Sequence, residues 1–212
     1  MNALVAFAAA LLALRLAGRL FRRWRATRRP ELAAWAWSLT AYAVAAAAIA
    51  WGEAAQWDAR AFRVYYAAGA LLTVPLLGCG SLLLARVRGA GAVGCVLAGI
   101  GLGVALVMPV HGVFAAHGIP PAQDHLARLP RVLAIAFNSA GTIAVVAVAL
   151  RSLRRRPLGN ALIVLGVAAA ALGSGLAGLG AGGAAIGIAV GVMLLYAGFV
   201  MPVSRWPKGP RP

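Results

Sequence analysis

The side chains of this sequence best suited to chemistry are polar groups set among apolar runs. Tyr65, Tyr66, Asn138, Ser139 and Thr142 offer hydroxyls and an amide beside aromatic walls. Arg63, Arg131 and Glu53 stand at their rim, with Tyr42 and Thr73 deeper. Hydrogen-bonding groups against aromatic surface suit a small amphiphile, a lipid headgroup or a peptide end. The plainer reading is that the same groups make interhelical hydrogen bonds, worth about 0.6–2 kcal/mol each.

Two other sets bear on metal and redox chemistry. His111, His117 and His125 share one stretch with Asp124. Imidazoles and a carboxylate can bind a metal or sense pH. Here the spacing argues against it: His111 and His117 fall on different faces of a helix, and neither HxxxH nor HxH occurs. No metal and no cofactor is expected. Cys79 and Cys95 each lie seven residues from an arginine, Arg86 and Arg88 respectively, on consecutive apolar runs. They share a depth, so a thiol pair is conceivable, but buried cysteine usually serves as a small packing residue. There is no CxxC, and no disulfide framework is indicated.

The elements that hold these groups follow from composition. The chain has 212 residues, 63% hydrophobic, with a mean hydropathy of +0.88. Soluble domains are about 45–50% apolar, so this excess reads as membrane protein. The length allows about seven spans of roughly 20 residues and no separate soluble domain. Periodicity and breakers place the spans at 2–21, 32–51, 59–85, 91–110, 131–150, 158–178 and 184–201. The fold class predicted is all-α: one polytopic seven-helix bundle. Pro75 should kink the third span, with Thr73 and Ser81 satisfying freed backbone groups. Pro121 to Leu129 reads as a short interfacial helix with Asp124 and Arg128 paired. The N-terminus does not read as a cleaved signal peptide, because its positive charges follow the apolar run.

Glycine supplies the packing code. Gly99 and Gly103 form a GxxxG pair in the fourth span. Gly166 and Gly173 share a face of the sixth, and Gly183, Gly187 and Gly191 form a stripe in the seventh. Such faces let helices approach closely, so spans six and seven are expected to pack as a hairpin. The same stripes would also serve a homo-oligomer.

Charge sets the orientation. Nineteen arginines and a single lysine face four acids, a net charge of +16. Five arginines crowd Arg22 to Arg29. On the seven-span map, sixteen basic residues fall on one side and Arg60, Arg63, Arg128 and Arg131 on the other. Basic loops stay cytoplasmic, so the N-terminus should be outside and the C-terminus inside, in the inner (plasma) membrane. Arg15, Arg19, Arg22 and Arg23 should meet anionic headgroups. Because the arginines flank apolar runs, lipid is the expected partner and nucleic acid is not. The basic inner loops are also the place for a protein partner.

Function classes are narrowed by what the spans lack. Apart from arginines toward the span ends (Arg15, Arg19, Arg60, Arg63 and Arg131), no Asp, Glu, Lys, Arg or His lies within them. Pumps and proton-coupled carriers need one near mid-membrane. The last span has no lysine for a retinal Schiff base. No acid–base pair converges, so an enzyme is not expected. The run Phe62 to Gly78 (FRVYYAAGALLTVPLLG) resembles a segment of uncharacterised small seven-helix membrane proteins of high-GC bacteria, mainly over spans two and three. It is also loosely similar to seven-helix sensor modules that precede histidine kinases. The resemblance implies a membrane protein and assigns no catalytic residue. The leading expectation is a non-enzymatic ligand- or lipid-binding sensor or scaffold with a pocket in its outer half. The alternative is a facilitator or carrier for a small neutral solute.

Overall fold

The computed structural model describes residues 2–115, 118–152 and 157–178, and, further on, 187, 190, 191, 193–195, 197 and 198. Among them the chain is all helical, with no strand and one isolated antiparallel bridge, Val110 to Leu126. It divides into two compact units, Met1–Val145 and Val146–Pro212.

In the first unit, α1 runs Asn2–Thr27 and α2 Pro30–Ala55. The sequence ends the first span at Phe21, but nothing between Phe21 and Thr27 breaks a helix. The stop comes at Arg28, whose φ is 54°, followed by Pro30 at the start of α2. Arg22, Arg23 and Arg25 therefore ride on α1 instead of forming a loop. The acid in the first turn of α2, Glu31, is buried and accepts from Arg29 Nε at 2.7 Å.

α3 spans Ala59–Leu84 without interruption. Its middle, Tyr66–Thr73, is π-helical and leads into Pro75. A π-register N–H at position 75 would bond the Ala70 carbonyl, and proline has none. Asn138 Nδ2, from another helix, donates to Ala70 O at 2.7 Å. Ser38 Oγ donates to Thr73 O at 2.7 Å, and Thr73 Oγ1 to Ala68 O at 2.8 Å. Side chains thus take over the carbonyls that the distorted helix leaves open.

α4 covers Ala90–Val107, and α5 is the four-residue turn Ala122–His125. The longer interfacial helix expected over Pro121 to Leu129 does not form. Leu126 is extended (φ −124°, ψ 145°) because it bridges to Val110, so the Asp124–Arg128 pairing lacks its helix. α6 begins at Arg128 and runs to Arg151. Pro130 sits in its first turn, where no backbone N–H is needed.

Phe62 and Leu71 are fully buried at the centre of the unit, packed with Trp57, Tyr66, Ala105, Met108, Leu126, Ala134 and Phe137. Close approach happens at particular glycines. A Cβ on Gly78 would come within 2.6 Å of Gly141 Cα, one on Gly101 within 3.2 Å of Leu71 O, and one on Gly80 would strike Trp35. Gly94 lies directly under the Cys79 thiol.

In the second unit, α7 runs Pro157–Gly178. Buried Asn160 donates to Ser152 Oγ at 2.9 Å. Gly166 packs on helical residues Gly191 and Leu195, and Gly198 packs on Gly159 and Ile163. Gly173 lies within α7 and Gly187 is helical, while Gly183 lies outside the described residues.

Among the described residues, five helices are long and apolar enough to cross a membrane: Ala3–Thr27, Pro30–Ala55, Ala59–Leu84, Ala90–Val107 and Arg128–Arg151. Their outward faces are strongly apolar, with Leu4, Leu106, Val107, Ile135 and Ile143 each more than 60% exposed. A monomer in water rarely shows so much uncovered hydrocarbon. These helices fit an integral membrane protein.

Candidate functional site

At the end of the first unit where α2 hands over to α3, aromatic and ionisable side chains converge. Asp58 caps α3, its Oδ1 accepting from Ala61 N at 2.7 Å. The cap fixes the first turn, and Phe62, Tyr65 and Tyr66 then fall on neighbouring positions one turn apart. Phe62 and Tyr66 stack with centroids 6.0 Å apart at 28°. Trp57 meets Tyr65 edge-on at 5.8 Å and 70°. The indole lies flat over Gly52, where a Cβ would come to 2.5 Å. Only glycine permits this seat for the ring.

Three polar atoms here are closed off from solvent and have no partner among the described residues: Glu53 Oε1, Trp57 Nε1 and Arg131 Nε. Trp57 as a whole is only 5% exposed. An orphaned buried polar atom costs about 1–3 kcal/mol, more for a charged group. Chain neighbours and ring contacts link them in series. Glu53 adjoins Gly52, which carries the Trp57 ring; Trp57 meets Tyr65; and Tyr66 reaches the start of α6. There its hydroxyl donates at 3.4 Å to the carbonyl of Pro130, the residue before Arg131.

Of the residues singled out in the sequence, Tyr65 and Tyr66 belong to this cluster. Arg63 is committed elsewhere: its NH2 donates to Met108 O at 2.9 Å and its NH1 to Leu106 O at 3.4 Å, closing the C-terminus of α4. Asn138 spends its amide on Ala70 O and Ala134 O, both at 2.7 Å. Ser139 is exposed on the outside of α6, while Thr142 and Tyr42 are half-buried. Trp57 and Arg131 carry more of the cluster than the sequence suggested. The signal was a tryptophan five residues after a glycine at a helix end, between Glu53 and Asp58.

The histidines are built into the loop beyond this end. His111 N donates to His125 O at 3.0 Å, and His125 Nδ1 lies 2.8 Å from His111 O. The His125 ring is buried, stacked on Phe114 at 4.3 Å and tilted against Phe62 at 5.3 Å. His117 lies outside the described residues. No group of three or more His, Cys, Asp or Glu positioned for a metal occurs among the described residues.

At the opposite end, Arg15, Arg19, Arg22 and Arg23 are exposed along α1. Cys79 is buried and its thiol donates to Ala90 O at 3.1 Å, whereas Cys95 is exposed; both are free thiols. Gly99 and Gly103 meet no described atom within 4 Å where a Cβ would stand, so the close approach of α4 falls on Gly94 and Gly101 instead.

Two donors, Trp57 Nε1 and Arg131 Nε, and one acceptor, Glu53 Oε1, are thus linked through chain neighbours or contacts to one aromatic cluster, with bonds left to make. That is equipment for holding a molecule. No protein-family model matches this chain, and no curated protein and no solved structure is similar to it.

Proposed function

We propose that this chain is a multi-pass membrane protein acting as a non-enzymatic binding module, a sensor or scaffold. Its ligand sits at the outer end, beside Trp57, Tyr65, Tyr66, Glu53 and Arg131. The chain crosses the bilayer seven times, with the arginine-rich end cytoplasmic and the Trp57 end outside, in the inner membrane. The bias of basic residues toward one side supports this orientation. The exposed arginines of α1 bind anionic headgroups, and a protein partner reads the occupied state from that side.

One observation carries the binding reading: buried polar atoms without partners among the described residues, beside an aromatic cluster. A purely architectural cluster would satisfy them internally.

Native mass spectrometry of the full chain, released from a neutral detergent, tests it. The wild type should retain a non-protein adduct that Trp57→Phe and Arg131→Gln lose. If those variants instead abolish glycerol flux in proteoliposomes, the chain is a facilitator for a small neutral solute. If neither adduct nor flux changes and only stability falls, the cluster is packing and the binding reading is wrong.

A further inference from the structure

We infer that the cluster recognises a zwitterion, a group bearing a primary ammonium and an oxyanion close together, as in a phosphoethanolamine headgroup. This rests on the binding reading above and adds the ligand class.

The chemistry of the orphaned atoms selects it. Arg131 Nε and Trp57 Nε1 are donors and call for an anionic acceptor. Glu53 Oε1 is an acceptor with a negative charge and calls for a cationic donor. Glu53 and Arg131 do not satisfy each other; neither side chain makes an ion pair among the described residues. A simple anion would serve Arg131 and Trp57 but add like charge beside Glu53. A simple cation would do the reverse, and a neutral solute would leave both charges uncompensated. A zwitterion satisfies all three atoms at once. Tyr65, in ring contact with Trp57 and Phe62, and Tyr66, stacked on Phe62, supply the wall against which its methylene carbons pack.

The same chemistry exists on a lipid and on a free small molecule. Apolar surface flanks the cluster: Val64, Leu129 and Val132 are exposed at this end. They offer acyl chains a place to lie, which favours the lipid.

The test is a binding titration of the detergent-solubilised full chain with three probes: dihexanoyl-phosphatidylethanolamine, dihexanoyl-phosphatidylglycerol, and free O-phosphoethanolamine. The ethanolamine lipid should bind saturably and about tenfold tighter than the glycerol lipid, the worth of one charge-assisted bond. Glu53→Gln should erase that preference, and Trp57→Phe should weaken both lipids without unfolding the chain. Free phosphoethanolamine binding as well as the lipid would support the zwitterion and assign it to a soluble source. Equal binding of the two lipids, unchanged by Glu53→Gln but weakened by Trp57→Phe, would overturn the zwitterion and leave the binding site standing. No saturable binding sensitive to Trp57→Phe or Arg131→Gln would overturn both.

Discussion

The Asn138 side-chain amide donates to the Ala70 carbonyl at 2.7 Å, five residues before Pro75. The bond joins α6 to α3 at the point where proline has removed a backbone donor. A local defect in one helix is therefore completed by a side chain from a helix 68 residues later in the chain.

This relationship makes Asn138 and Pro75 energetically coupled. Asn138→Ala should cost about 0.6–2 kcal/mol of stability, the range for interhelical hydrogen bonds in membranes. In a Pro75→Ala background the restored N–H can serve the Ala70 or Leu71 carbonyl, so the same change should cost less. A double-mutant cycle in mixed detergent micelles measures the difference. Equal costs in the two backgrounds would show that the amide bond is independent of the proline.

The glycines should separate into two classes. Gly78→Ala places a Cβ 2.6 Å from Gly141 Cα, and overpacking of this kind costs about 1–3 kcal/mol. Gly99→Ala and Gly103→Ala meet no described atom and should stay within about 0.5 kcal/mol of wild type. Thermal unfolding in one detergent compares all three. A neutral Gly78→Ala would contradict the α3–α6 contact.

Arg63→Met should loosen the end of α4. The guanidinium closes the carbonyls of Leu106 and Met108, and bonds from a charged donor are worth about 1.5–3 kcal/mol. Hydrogen exchange of the 104–108 amides should quicken in the variant, while exchange in α2 stays unchanged. No local quickening would mean the cap contributes nothing.

His125 holds the loop beyond the cluster by two means, a ring stack on Phe114 and a polar contact to His111 O. His125→Phe keeps the stack and loses the contact; His125→Ala loses both. Limited proteolysis in the 111–125 segment should therefore rank wild type slowest, then the phenylalanine variant, then alanine. Indistinguishable rates would deny the latch.

The sequence makes helix existence legible because apolar run length alone decides it. It reads the Pro75 disturbance, and the glycine-bearing faces of Gly166 and Gly191, from local chemistry. Partners are harder to read. Helical spacing says that Gly94, Gly99, Gly101 and Gly103 lie on particular faces, but not which face meets α3. Arg63 reads as a site residue because nothing local reveals that it reaches α4. Trp57 cannot be placed from local sequence because its seat depends on Gly52 from the preceding helix. Glu53 and Arg131 read as rim charges; only the fold reveals that one atom of each is closed off and unpaired.

The proposed binding site requires a membrane-embedded bundle whose Trp57 end faces outward. Single cysteines at Gln56 and Ala26, both exposed, in a chain with Cys79 and Cys95 replaced by alanine, test this most directly. In intact spheroplasts a membrane-impermeant maleimide should label position 56 at once and position 26 only after permeabilisation. Labelling of position 26 with protection of position 56 would invert the protein and put the cluster on the cytoplasmic side. Immediate labelling of both would remove it from the membrane.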